Sequence, residues 1–167
     1  SFSGLNYNNG NPSNDAKAKL SFAAGVLVQM DYASDFAGSY TSDSYYAFKN
    51  RLGYDNAKYQ EFMWGPFDST NMVSNLMQGY PLQMGIYTAG YQEGHAINVD
   101  GYDNTNDTFH LSMGWGGDSD GWYSLPSGMP SGYSIVHSIV YDLYPTGVTP
   151  TPTPTATATV TPTYTPT

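Results

Sequence analysis

Apolar residues recur at helical spacing in the first part of the chain and at strand spacing in the second. Leu20, Ala23, Ala24, Leu27 and Met30 fall three or four positions apart, so a helix is predicted to start at a Ser13 or Asn14 cap and to bury that face. A second helix is predicted from the Thr41-Ser42-Asp43 cap to Gly53, with Tyr45, Phe48, Lys49 and Leu52 along one side. Asp68-Ser69-Thr70 opens a third, closed by Gly79. After Pro81 the period shortens to two, and strands are predicted over 82–87, 94–102, 108–115, 121–125 and 135–143. Helices followed by antiparallel strands imply an α+β architecture.

The pattern stops at Pro145. From there to Thr167 the chain is almost entirely alternating Thr and Pro, which favours extended, semi-rigid conformations and buries nothing. Two segments are therefore expected, a folded domain over 1–144 and a linker over 145–167 leading to a further module. Linkers of this composition are expected in secreted or cell-surface proteins. The first residue is Ser and carries no basic-then-apolar leader after it, as expected of a fragment or a processed chain.

Composition narrows the partners. The 167 residues are 40% hydrophobic and 16% aromatic, enough for one core of ordinary size. A formal net charge of −9 with only five Lys and Arg repels a phosphate backbone, so nucleic acid is not an expected partner. No apolar run is long enough to span a bilayer. Zero cysteine removes disulfides and thiolate metal sites.

The chemistry concentrates in one stretch. Gly94-His95-Ala96-Ile97-Asn98-Val99-Asp100-Gly101-Tyr102 is followed by Phe109-His110-Leu111-Ser112-Met113-Gly114-Trp115-Gly116-Gly117 and then by Asp120-Gly121-Trp122-Tyr123. These three stretches, in this order and spacing, resemble the histidine half of the streptopain family of papain-like cysteine peptidases. Weaker likeness extends over residues 20–143, through Met30-Asp31-Tyr32, the Gly38-Ser39 loop and Leu52-Gly53-Tyr54. The resemblance implies a papain-like fold and peptide-bond hydrolysis with a protein or peptide as substrate and no cofactor. It makes His95 the catalytic imidazole, Ser112 its orienting group in place of the family's Asn, and Gly94 and Trp115 the lining of the substrate cleft. Met113 stands where the family has Trp. The family's cysteine-bearing helix and oxyanion glutamine are implied to lie ahead of Ser1.

A turn over Asp103–Asn106 would set Tyr102 opposite Asp107, Ile97 opposite Ser112 and Val99 opposite His110. His95 and Ser112 would then share a face, with Phe109, Leu111 and Met113 on the other. His110 and His137 read as structural. No acidic partner with ligand spacing accompanies the histidines, so no metal site is expected. Asp118-Ser119-Asp120-Gly121 has the look of half a calcium loop, but Trp122 takes a ligand position and no Glu closes it, which leaves an acidic turn. The 16 tyrosines are spread along the chain rather than along one strand and read as core edges.

The expected function is that of a cysteine endopeptidase present as its histidine-bearing portion, inactive by itself for want of a nucleophile. The alternative is an inactive papain-like binding module of a secreted modular protein, in which loss of the cysteine and of the orienter go together. A third possibility keeps the fold and transfers the acyl group to an acceptor other than water.

Overall fold

A computed structural model of the chain describes residues 14–34, 37–63, 65–145 and 147. The expected linker, apart from Pro145 and Gly147, lies outside them. In chain order the elements are helix α1 (Asn14–Leu27), a two-residue strand pair β1 (Asp31–Tyr32) and β2 (Ala37–Gly38), helix α2 (Thr41–Arg51) and strand β3 (Lys58–Glu61). Then come helix α3 (Thr70–Met77) and strands β4 (Leu82–Thr88), β5 (Gly94–Asp103), β6 (Thr108–Ser112), β7 (Gly121–Tyr123) and β8 (Tyr133–Tyr141). The architecture is α+β and papain-like: one six-stranded antiparallel sheet, order β3-β8-β4-β5-β6-β7, with helices on its faces.

Alternation along β4 divides the two faces. Leu82, Met84 and Ile86 point into a core with Ile97, Val99, Leu111, Met113 and Ile139, which Met72 of α3 closes from above. Gln83 and Gly85 point the other way, toward α2. A side chain at Gly85 would put its Cβ 2.5 Å from Thr41 Oγ1 and 3.0 Å from Ser138 Oγ, so glycine is what lets α2 settle on the sheet. Asn75, 1% exposed, ties α3 to both neighbouring strands. Its Nδ2 donates to the Tyr80 carbonyl at 2.7 Å and its Oδ1 accepts from the Asp142 amide at 2.9 Å, satisfying a buried amide on both ends.

Three expectations need correction. The apolar face of α1 is only partly buried: Leu20 is 40% exposed and Ala24 is exposed, while Ala23, Leu27 and Met30 are half-buried; Phe22 and Val26, off that face, are 66% and 59% exposed. Among the described residues α1 packs chiefly on α2, and nothing covers its remaining side. Strand β3, Lys-Tyr-Gln-Glu, was not expected, because a polar edge strand carries no alternation to read. The hairpin register also differs. The turn takes residues 104–107, so Asp103 faces Thr108 and Tyr102 faces Phe109; Asp100 then bulges out, after which Val99 faces Leu111 and Asn98 faces Ser112. Asp107 at φ 53° lets the turn close one residue later than expected.

Candidate active site

His95 stands at the head of β5, opposite Ile86 of β4, and is half-buried. Its Nε2–H donates to the Met113 carbonyl at 2.8 Å. A carbonyl only accepts, so Nε2 carries a hydrogen, and in the neutral ring it is Nδ1 that holds the lone pair. The Met113 amide in turn donates to Asp120 Oδ1 at 2.7 Å. The Met113 peptide is thus held from one end by a carboxylate and holds the imidazole from the other. Trp115 stacks on the His95 ring with centroids 5.0 Å apart and planes 18° from parallel, and Tyr133 flanks it at 6.0 Å. Hydrogen bond and rings together leave the imidazole little freedom.

The bulge at Asp100 decides what becomes of Ser112. Residues directly opposite in an antiparallel pair share a face, so Ser112 lies with Asn98, and Asn98 is three residues from His95 and therefore on the opposite face. The expected bond from Ser112 to the imidazole is replaced by the backbone bond from Met113. Ser112 instead lines a separate groove of about 430 Å³ with Asn98, Asp100, Phe48 and Tyr54. Leu111 and Met113, expected away from His95, sit in the core on its side of the sheet. His110 faces Gly101 rather than Val99, and its Nδ1 lies 2.6 Å from Asp100 Oδ1, with Trp122 edge-on to the ring.

Gly94 and His95 both line a cavity of about 930 Å³ between α1, α2 and the sheet. The space over Gly94 is already taken, since a Cβ there would lie 2.7 Å from the Tyr87 ring. Trp115 stacks on the imidazole without lining that cavity, and is 39% exposed. Its loop turns through Gly114, Gly116 and Gly117 at φ 78°, 71° and 96°, values that a side chain would strain.

The sequence model of the Peptidase C10 family matches residues 3–123. The chain belongs to the Peptidase C10 family. Streptopain of Streptococcus pyogenes serotype M1 is 30% identical over 118 residues, covering 70% of this chain, and that of serotype M28 matches equally. The chain spans 29% of the length of these curated relatives. Among solved structures, the active wild-type interpain A cysteine protease of Prevotella intermedia superposes with a TM-score of 0.66 at 26% identity, over 80% of this chain and 60% of that one. A prointerpain A fragment from the same organism superposes at 0.63, over 78% and 42%.

Within this Peptidase C10 chain, sequence reasoning missed three contributors to the histidine's surroundings. The Met113 carbonyl is backbone and leaves no mark in residue type. Tyr133 comes from β8, remote in sequence. Asp120 did carry a signal, as the acid of the Asp-Gly-aromatic-aromatic piece, but read as a solvated turn.

Proposed function

We propose that these residues form the histidine side of a cysteine endopeptidase whose sulfur nucleophile comes from outside the 167 residues, which contain no cysteine. The observation that carries the reading is His95 itself. Its Nε2–H is spent on a backbone carbonyl, aromatic side chains stack on its ring, Nδ1 has no hydrogen-bond partner among the described residues, and the residue lines a cavity large enough to admit a peptide.

In that role Nδ1 takes the thiol proton, and the thiolate attacks the scissile carbonyl carbon. The imidazolium returns the proton to the leaving amine as the C–N bond breaks, and a water activated by the same nitrogen hydrolyses the thioester. Met113, held by Asp120, keeps the ring oriented throughout. Secretion or surface display, a peptide or protein substrate and a further module past the Thr/Pro segment belong to the same proposal.

The test compares the 167-residue chain with the complete translated protein in a fluorogenic peptide assay. Hydrolysis by the complete protein only, abolished by iodoacetamide and by His95→Ala, is the expected result. Activity that survives alkylation would sink the reading. The absence of cysteine and the placement of Ser112 away from His95 favour a second reading, a papain-like binding module, which a complete protein that lacks any cysteine and binds peptides without cleaving them would establish.

A further inference from the structure

Among the described residues, the cavity beside His95 is lined by two carboxylates, Glu61 and Glu93, and by no Lys, Arg or Asp. Lys19 pairs with Asp15, Lys58 with Asp142, and Lys49 lies over Tyr45. Glu61 accepts the Tyr59 hydroxyl. Glu93 has no such side-chain partner among the described residues. Its main chain is fixed by two bonds to Thr88, from the Thr88 amide to the Glu93 carbonyl and from the Glu93 amide to Thr88 Oγ1, both 3.0 Å.

Glu93 stands two residues before the imidazole and lines the same cavity. Its negative charge reaches the Tyr133 hydroxyl, whose pKa is raised by burial first and by Glu93 second, and the Tyr133 ring flanks His95. The partly exposed indole of Trp115 also stacks on the imidazole, outside that cavity. An exposed carboxylate carried on a fixed main chain, in the same cavity as an aromatic ring, is a combination that receives an ammonium or guanidinium on an aliphatic stem. Gln83, another lining residue, carries a buried Oε1 that has no donor among the described residues.

We propose that the cleft at His95 selects peptides carrying a Lys or Arg side chain, and that Glu93 is the residue that selects them. This rests on the peptidase reading for its meaning as substrate preference, but the binding can be measured without catalysis. Three blocked tripeptides, identical except for Lys, norleucine or Glu at the centre, are titrated into the isotope-labelled 167-residue chain while the ring signals of His95, which lines the cavity, are followed. Norleucine matches the Lys stem without its charge.

The Lys peptide is expected to bind about three-fold more tightly than the norleucine peptide at low salt, the scale of a partly exposed charge pair, with the Glu peptide weakest. The Lys preference is expected to shrink with added salt and to vanish in Glu93→Gln while the norleucine affinity holds. Equal affinities for Lys and norleucine, a preference that persists in Glu93→Gln, or no response of the His95 ring to any peptide would each overturn it. A charge preference in a complete protein whose hydrolysis ignores alkylation would instead undo the peptidase reading and leave this one standing.

Discussion

At the scale of single residues, the backbone around Met113 matters more than the side chains beside it. Asp120→Ala would leave the buried Met113 amide without its acceptor, at a cost of about 1–3 kcal/mol, and would loosen the peptide that holds His95. Thermal unfolding reads the first effect and the His95 Nε2–H signal the second; Asp120→Asn, which keeps a carbonyl oxygen at that place, should retain most of both. Ser112→Ala, on the other face, should change stability by no more than about 0.5 kcal/mol and leave that signal in place. Loss of the signal in Ser112→Ala would contradict the observed register. His95, Gly94 and Trp115 were legible as candidates from a local motif. Ser112 was misplaced because one bulged residue reverses every side chain beyond it.

At the scale of elements, α2 and α3 are held to the sheet by different means. Gly85→Ala would drive a methyl against Thr41 Oγ1 and Ser138 Oγ, destabilising the protein by about 1–3 kcal/mol. Adding Thr41→Ala should recover part of that loss by removing the closer of the two atoms, and a double-mutant cycle in urea would show the coupling. Helix α3 begins where Asp68 accepts from the Thr70 amide and hydroxyl at 2.9 and 2.6 Å. These bonds hold the Asp68 carboxyl below its ordinary value of 3.8. A depressed carboxyl contributes its stability fully above the ordinary value and loses it as pH falls through the folded one. Hydrogen-exchange protection in the first turn of α3 should therefore drop in acid, and Asp68→Asn should flatten that dependence. The helix starts at Thr41 and Thr70 were readable from cap chemistry, and the central strands from alternation. Strand β3 was not, since its pairing with β8 depends on a partner some eighty residues on.

At the scale of the whole molecule, stability is uneven. The strands around β4 share a core of buried side chains, from Met72 to Ile139, whereas α1 presents Phe22 and Val26 to solvent. Amides of α1 should exchange well ahead of those of β4 and β8, and Phe22→Ser should alter the melting midpoint little while improving solubility. A large effect of Phe22→Ser would mean that α1 is covered in solution.

Local chemistry in the sequence was enough to determine the class of fold, three helices, the central strands and the histidine motif, because periodicity, caps and turn residues act over a few positions. The tertiary structure alone decided which groups meet that histidine. The imidazole is held by a main-chain carbonyl, flanked by a tyrosine from the last strand and braced through a carboxylate beyond the next turn, and these contacts follow from strand register and sheet order, which no short window of sequence contains.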